Sequence, residues 1–267
     1  MDYRAIACKL FVTHTKYQQQ HIVKIIPIHN GYTNISFKVI TNDRCAYQVR
    51  IANDQHLVDR KNEKAILNLV KNPYYLYFDV HTGNTIKQWI KAIKLNKRII
   101  NSQEFLQKLV SEINWLHQTK FTSKILKHNY FDAIKYAKLS TKHHQKYYVL
   151  LNKYHNLPLC LSHNDLSADN LLLTVKKQII FIDYEWSRLN NEYWDLANFI
   201  RETKLSNRNI TFLATKSNLS LTILQDFIYI CTNYAYQWTY MMPQTTKILQ
   251  YRKQLNKQLN LYYNKFF

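Results

Sequence analysis

Residues 160–173 read CLSHNDLSADNLLL and place a group of polar side chains between two apolar runs. A carboxylate between strand-like segments costs free energy unless a charged or hydrogen-bonding group meets it there. The stretch carries four polar side chains that need such a partner: His163, Asp165, Asp169 and Asn170. It therefore predicts a loop whose acidic groups meet a charged ligand.

A β-hairpin is predicted immediately after this loop. The runs NLLLTV (170–175) and QIIFID (178–183) flank the pair Lys176–Lys177, and their apolar, β-branched character is typical of short strands. A tight hairpin brings its two ends together, so we expect Asn170 and Asp183 to become neighbours. Two oxygen donors of this kind suit Mg²⁺ when nucleotide phosphates and waters complete its octahedron.

Two residues of the loop are candidates for the chemistry itself. Asp165 precedes Asn170 by a short loop, and from there it could accept or orient the proton of an attacking hydroxyl. His163 is the second candidate catalytic residue. We expect it to anchor the backbone of the loop by a hydrogen bond rather than to act as the base.

The charge of the chain favours no nucleic-acid partner. Lys and Arg number 37 against 17 Asp and Glu, which gives a formal net charge of +20. A positive field attracts phosphate of any kind, but the lysines are scattered, whereas a nucleic-acid footprint clusters on one face. We therefore expect no specific nucleic acid, and weak contact with an anionic membrane surface stays open.

Cysteine spacing and hydropathy indicate a cytoplasmic protein. The four cysteines lie far apart without any CxxC pair, which argues against zinc and against a disulfide framework. The N-terminus lacks the basic and apolar regions of a signal peptide. No apolar run approaches the roughly 18–20 residues that a membrane-spanning helix needs.

Periodicity divides the chain into two lobes, residues 1–91 and 92–267. Residues 22–52 alternate as strands do, residues 56–70 have apolar positions at helical spacing, and a second hairpin turns at His81–Asn84. After that the pattern is helical except for the hairpin that follows the acidic loop. We predict an α+β, bilobal fold with a small antiparallel-sheet N-lobe containing one helix. The C-lobe is larger, mainly helical, and contains the catalytic hairpin.

The acidic loop and its continuation resemble a known family. HNDLSADNLLL followed by IDYEWSRLNNEYWDLANFIRE (182–202) resembles the catalytic and metal-binding motifs of the choline/ethanolamine kinases. These belong to the protein-kinase-like phosphotransferases, which also include the aminoglycoside phosphotransferases. The His-x-Asp-x₄-Asn core with a later Asp is shared by the whole superfamily, and the continuation is more specific. The resemblance implies a protein-kinase-like fold, ATP and Mg²⁺ as cofactors, Asp165 as catalytic residue, and Asn170 and Asp183 as metal ligands.

In the N-lobe the resemblance implies a nucleotide site. NGYTNISFKV resembles the family's nucleotide loop, with Gly31, Thr33 and Asn34 covering the phosphates. Arg50 in CAYQVRI matches the basic residue that grips the phosphates, and Glu63 in VDRKNEKAIL matches its ion-pair partner. The loop departs from the family pattern because it has one glycine where a second is common.

The resemblance also implies a site for a cationic acceptor. Glu202 matches the acidic residue that the family aims at the choline head group, and Trp186 matches an aromatic wall. Three further aromatic residues lie where the family contributes tryptophans, namely Tyr236, Trp238 and Tyr240. Core packing is the alternative for any single tyrosine in a chain with 21 of them. Glu185 could hold metal or stand behind the metal ligands, and Asp195 could cap a helix or brace the catalytic loop.

Together these features predict a kinase that phosphorylates the hydroxyl of choline to give phosphocholine for lipid or surface-polymer synthesis. Its partners would be choline and ATP, and the chain could be a monomer or a homodimer. Ethanolamine, thiamine or an aminoglycoside stay open as the acceptor. From another class, a basic nucleic-acid-binding protein with a degenerate kinase fold also stays open, and steeply salt-dependent binding without ATP turnover would indicate it.

Overall fold

The computed structural model describes residues 2–28, 34–52, 58–132, 134 and 139–267. The chain divides into two units. Unit 1 comprises residues 1–92 together with 183–186, and unit 2 comprises residues 93–182 together with 187–267. The short segment after the catalytic hairpin therefore belongs to the N-terminal unit although the chain on both sides of it belongs to unit 2.

Unit 1 is built on an antiparallel sheet of five strands. The strands are β1 (Ile22–Ile28), β2 (Asn34–Thr41), β3 (Ala46–Ala52), β4 (Tyr75–Phe78) and β5 (Thr85–Gln88). Their order in the sheet is β1-β2-β3-β5-β4. Alternation along the strands points one face inward, as β2 and β3 show where Phe37 pairs with Val49 and Val39 with Tyr47. These four side chains are buried, together with Ile86 of β5.

Two helices belong to unit 1. Helix α1 (Tyr3–His14) begins at Asp2, whose carboxylate accepts the backbone N–H groups of the first turn, as an N-cap residue does. It buries Ala7 and Phe11 against the sheet core, and the sequence analysis had no prediction for it. Helix α2 (Arg60–Leu69) is the predicted helix after β3 and is capped by Asp59.

Unit 2 is mainly helical. Its core is formed by apolar side chains of α4, α6 and α8, including Leu109, Phe199 and Ile228. Its helices are α3 (Lys97–Ile100), α4 (Gln103–His117), α5 (Thr141–Lys153), α6 (Trp194–Thr203), α7 (Asn207–Lys216), α8 (Leu221–Trp238) and α9 (Thr246–Phe266). The predicted α+β class, with a sheet in the N-terminal part and helices in the C-terminal part, is confirmed.

The predicted catalytic hairpin is present in unit 2. Strands β8 (Leu171–Thr174) and β9 (Ile179–Phe181) pair antiparallel, with Leu171 opposite Phe181. A two-residue strand, β6 (Ala92–Ile93), lies where the units divide. Strand β7 (Leu159–Ser162) enters the acidic loop and pairs with β10 (Arg188–Asn191). Strand β10 was not predicted from the sequence. Within the described ranges no helix combines the length and apolar character that a bilayer crossing requires.

Candidate active site

A backbone hydrogen bond joins the two ends of the predicted hairpin, whereas the expected proximity of the Asn170 and Asp183 side chains stays a prediction. Asn170 ends a 3-10 turn directly before β8, and its carbonyl accepts the N–H of Ile182 at 3.0 Å. Ile182 is the residue before Asp183 in the chain. The backbone therefore carries the chain from the Asn170 end of the hairpin directly into Asp183.

Asn170 fixes the carboxylate of Asp165. The amide nitrogen of Asn170 donates to Oδ2 of Asp165 at 2.9 Å and to the carbonyl of Asp165 at 2.7 Å. Asn170 is thus in direct contact with Asp165, a contact that was not predicted. Because the amide nitrogen is committed to Asp165, the amide oxygen is the atom that Asn170 can offer to a cation.

Helix α6 holds the acidic loop through hydrogen bonds to the main-chain atoms of the loop. The buried carboxylate of Asp195 accepts the N–H of His163 at 3.0 Å and the N–H of Asn164 at 2.9 Å. Two other residues of the helix reach the loop: Trp194 Nε1 donates to the carbonyl of Asn164, and the Asn198 amide donates to the carbonyl of Leu166. Of the two roles left open for Asp195, the structure shows the bracing of the loop.

The backbone turns sharply where this brace acts. Asn164 has φ +64°, in the left-handed region that asparagine tolerates better than most residues. Its side-chain oxygen accepts the amide of Asn190 at 2.7 Å. The turn places Asp165, the next residue, at the end of a backbone that is hydrogen-bonded on both sides.

His163 makes the contact expected of a loop anchor. Its ring is fully buried, and Nε2 lies 2.9 Å from the carbonyl of Ile182. Burial lowers the pKa of this imidazole, although the charge of Asp195 acts in the opposite direction. The neutral ring then donates Nε2–H to the carbonyl, so it joins the acidic loop to the end of the hairpin.

Asp195 stays ionised although it is fully buried. Burial alone would raise the pKa of this carboxyl, but the hydrogen bond from His117 Nε2 at 3.0 Å, the charge of His117 and the hydrogen bond from the backbone N–H of His163 lower it. An ionised carboxylate accepts on both oxygens, which is what three donors around it require. This explains why one side chain can hold two successive backbone N–H groups.

In unit 1 the predicted ion pair of Arg50 and Glu63 is present. Arg50 Nη2 lies 2.9 Å from Glu63 Oε1, and the guanidinium also donates to the carbonyl of Gly83 at 3.1 and 3.2 Å. Burial disfavours the charged guanidinium, but the carboxylate of Glu63 together with the other acidic groups nearby, including Asp183 and Glu185, outweighs burial and raises the pKa of Arg50. The arginine is therefore fixed in one pose and stays charged.

Asp183 also lies in unit 1, at the edge of this ion-pair cluster. Its side chain is 37% exposed, with Oδ1 3.4 Å from Arg50 Nη1, and its φ is +66°. Loss of water around the carboxylate and the nearby charge of Glu185 raise the pKa of Asp183 to about 6, in spite of Arg50. A carboxylate that lacks sufficient positive charge fits a position that a cation completes.

Three nucleotide-binding residues were predicted in the stretch NGYTN, residues 30–34. Gly31 and Thr33 lie outside the described residues. Asn34 is the first residue of β2, and its amide donates to Oε2 of Glu185 at 3.0 Å. Asn34 is therefore linked to the segment that carries Asp183.

Three of the four predicted acceptor residues of unit 2, namely Glu202, Tyr236 and Tyr240, lie near the start of α9. Glu202 accepts the hydroxyl of Tyr251 at 2.6 Å and pairs with Arg201 at 2.8 Å. The next residue of α9, Arg252, places its guanidinium 3.7 Å from the centre of the Tyr240 ring. The hydroxyls of Tyr236 and Tyr240 lie 2.9 Å apart. Trp238, the last residue of α8, is half-buried, and Trp186 belongs to unit 1.

Several residues that build these sites were not predicted. Arg60, Trp194, Asn198, Tyr251 and Arg252 each contact a predicted residue or the backbone of the acidic loop. The spacing of Trp194 and Asn198, one helical turn apart on a helix that follows the hairpin, could have indicated a shared face toward the loop. Among the described residues, no group of three or more His, Cys, Asp or Glu side chains is arranged to hold a metal ion.

Comparisons with known proteins agree on the family and the fold. The model of the choline/ethanolamine kinase family matches residues 25–261. A protein of Mycoplasma pneumoniae, named Uncharacterized protein MG356 homolog, is 34% identical over 257 residues, which are 94% of this chain and 90% of that protein.

Solved structures show the same architecture. The choline kinase LicA from Streptococcus pneumoniae has a TM-score of 0.82 at 16% identity and covers 98% of this chain and 100% of its own. LicA in complex with AMP has a TM-score of 0.76 at 18% identity, with coverage of 98% and 99%. An ethanolamine kinase of Plasmodium vivax has a TM-score of 0.76 at 17% identity, with coverage of 92% and 85%. The predicted resemblance and the kinase-like fold are thereby confirmed.

Proposed function

This chain belongs to the choline/ethanolamine kinase family, and we propose that it transfers the γ-phosphoryl group of ATP to the hydroxyl of choline with the help of Mg²⁺. The observation that carries the proposal is the acidic loop itself. Asp165 is oriented by the amide of Asn170, and the backbone around it is fixed by Asp195. A carboxylate held in this way is suited to a hydroxyl nucleophile.

Nucleotide binding is supported by Arg50 and by the relatives. The guanidinium is buried, charged and fixed by Glu63 and Gly83, so it can meet phosphate without first losing side-chain entropy. LicA has been solved with AMP bound. We propose that Gly31, Thr33 and Asn34 cover the phosphates and that Arg50 grips them.

The donor atoms present fit magnesium. We propose that the amide oxygen of Asn170 and the carboxylate of Asp183 hold Mg²⁺. Both are hard oxygen donors, and Asp183 has the under-compensated carboxylate described above. Mg²⁺ bound there would offset the negative charge of the transferring phosphoryl group.

In the proposed reaction the protein positions two reactants and receives one proton. The hydroxyl oxygen of choline forms a bond to the γ-phosphorus while the bond between that phosphorus and the bridging oxygen of ADP breaks. Asp165 accepts the hydroxyl proton. Because phosphoryl transfer needs little covalent help from the protein, positioning and electrostatic stabilisation supply most of the rate enhancement.

The acceptor site favours a cation. We propose that Glu202 and the aromatic residues Tyr236, Trp238, Tyr240 and Trp186 bind the quaternary ammonium group. The Glu202 side chain is 25% exposed, which supports this, because a carboxylate open to solvent beside aromatic faces suits a cation. The face of Tyr240 that packs against Arg252 is already occupied, so the ammonium group would use the other aromatic faces. Ethanolamine is the second candidate, since its ammonium group could donate hydrogen bonds to Glu202, and the relative from Plasmodium vivax is an ethanolamine kinase.

The test is ATP consumption with choline, ethanolamine, thiamine and kanamycin as acceptors. We expect choline to give the highest kcat/KM. The variant Asp165→Ala should lose about 10²–10⁴-fold in kcat and keep nucleotide affinity. The matched control is Asp169→Ala, which removes an exposed carboxylate from the same loop and should behave like the wild type. Wild-type turnover by Asp165→Ala would refute the assignment, and a preference for another acceptor would refute choline.

A further inference from the structure

Four charged side chains of unit 1 form a closed ring of alternating sign. Arg50 lies 2.9 Å from Glu63, Glu63 lies 2.7 Å from Arg60, and Arg60 lies 3.0 Å from Glu185. The ring closes between Glu185 and Arg50 at 3.7 Å. All four side chains are at most 5% exposed. Each carboxylate therefore lies between two guanidinium groups in a site from which water is nearly excluded.

Glu185 joins three segments that are distant in sequence. Its Oε2 atom accepts from Arg60, at the start of α2, and from Asn34, at the start of β2. Glu185 itself follows Asp183 by two residues in the chain. Its side chain thus connects the beginning of the strand after the predicted nucleotide loop, the helix that carries Glu63, and the turn that presents Asp183.

Glu185 and Asp183 are acidic neighbours in sequence with opposite surroundings. The Glu185 side chain is 4% exposed and has two guanidinium partners. The Asp183 side chain is 37% exposed and has one longer contact, at 3.4 Å. A carboxylate whose charge is already compensated gains little from a metal ion, whereas the more exposed and less compensated carboxylate of Asp183 gains more.

We propose that Glu185 is a positioning residue for the nucleotide site, acting through Arg60 and Asn34, and that it is not a ligand of the metal. The ring sets Asn34 and Arg50 in place before the nucleotide arrives. Among the described residues, removing the charge of Glu185 leaves Glu63 as the remaining carboxylate partner of Arg60 and weakens the hydrogen bond from the Asn34 amide. The inference rests on the proposed function, because it assigns Glu185 a role in binding ATP.

The first experiment measures nucleotide affinity with and without metal, using the full chain. Glu185→Gln keeps the size of the side chain and removes its charge. We expect it to weaken binding of the non-hydrolysable analogue AMP-PNP about tenfold, both in excess Mg²⁺ and in EDTA. If the loss occurs only with Mg²⁺, Glu185 acts as a metal ligand and the proposal is wrong. Glu104→Gln, an exposed carboxylate on α4 paired with Lys108, is the control and should leave affinity unchanged.

The second experiment tests whether Glu185 acts through Arg60. If Glu185 acts by positioning Arg60, the double variant Arg60→Gln with Glu185→Gln should bind AMP-PNP no more weakly than the single variant with the lower affinity. If the two losses multiply, the residues act independently and the proposal fails. Kinetics should show the same split, with a raised KM for ATP and a kcat that changes less than threefold.

Thermal unfolding separates this inference from the proposed function. The double variant, in which both side chains are neutral, should have a higher melting temperature than the sum of the two single-variant shifts predicts. If the two shifts in melting temperature simply add, Arg60 and Glu185 are not coupled and the proposal fails, whichever substrate the protein phosphorylates. If both single variants unfold below the assay temperature and the double variant does too, Glu185 is structural only and the positioning role is rejected. A wild type that binds no AMP-PNP would instead refute the kinase assignment. The melting temperatures of the single and double variants would still show whether Arg60 and Glu185 are coupled.

Discussion

Replacing Asp195 by asparagine tests how the acidic loop is held. In the native protein one oxygen of this buried carboxylate accepts the N–H of Asn164, and the other accepts the N–H of His163 and is contacted by His117. Asparagine has the same size but only one accepting oxygen. At least one of the two backbone N–H groups would therefore face an amide group that cannot accept.

The size of the effect follows from that lost acceptor. A buried donor left without a partner costs about 1–3 kcal/mol, and hydrogen bonds to a charged group are at the upper end of that range. We therefore expect Asp195→Asn to lower the free energy of unfolding by about 3 kcal/mol. If the same energy is lost from the transition state because the loop moves Asp165, kcat falls about 150-fold.

The assay pairs chemical denaturation with steady-state kinetics. The matched control is Asp226→Asn, because Asp226 is another buried carboxylate, with Lys153 and Tyr154 as partners and no contact to the loop backbone. It should lose stability and keep kcat. If Asp195→Asn also keeps wild-type kcat at a temperature where it is folded, the loop does not depend on this brace and the reasoning is wrong.

The pKa of Asp195 adds a pH dependence. Since its pKa is lowered in the folded protein, the carboxylate contributes stability above its unfolded pKa of about 3.9, and that stability is lost as the pH falls further. The difference in unfolding free energy between the wild type and Asp195→Asn should therefore shrink below about pH 4.

Two further predictions concern other buried features. Burial lowers the pKa of His128 to about 3, so below about pH 6.5 the unfolded chain binds a proton that the folded chain does not. The free energy of unfolding should therefore fall by up to about 1.4 kcal/mol per pH unit as the pH is lowered from there. The variant His128→Phe, measured by denaturation at about pH 7 and about pH 5, should lose that part of the pH dependence. Gly83 has φ +77°, and a Cβ there would lie 2.4 Å from Arg60 Nε, so Gly83→Ala should lower stability by about 2 kcal/mol or more and weaken nucleotide binding.

Each of these has a control and a contradictory outcome. An unchanged slope in His128→Phe would show that another group causes the acid sensitivity, and His155→Phe, at an exposed histidine, is the control. For Gly83 the control is Asn218→Ala, at an exposed left-handed position with φ +55°. This variant has the conformational strain of alanine at positive φ but no steric clash with a buried side chain. Equal losses at the two positions would show that Arg60 moves away without cost.

Local signals sufficed for the hairpin and the ion pair. The turn at Lys176–Lys177 between two apolar runs predicted β8 and β9 correctly because hairpin pairing is set by neighbouring residues. Arg50 and Glu63 were paired on the strength of a family resemblance, and they are in contact.

Long-range contacts were beyond local patterns. Strand β10 pairs with β7 across 26 residues, as Ser162 opposite Arg188 shows, and RLNN has no strong strand signal of its own. The contact of Arg60 with Glu185 joins positions that are 125 residues apart, and no spacing rule relates them. The contact of Asp195 with the loop was one of two roles left open, because a helix-start aspartate is as often a cap.

Because α6 binds the main chain of the acidic loop, the sequence of the loop can vary in some positions more than in others. Trp194, Asp195 and Asn198 all grip main-chain atoms of the loop, and main-chain atoms are common to every amino acid. Loop side chains outside the proposed catalytic and metal-binding residues can therefore be exchanged while Asp165 keeps its place. Mutagenesis libraries aimed at new alcohol acceptors should accordingly tolerate variation at Ser167 and Asp169 and lose all function when α6 is randomised.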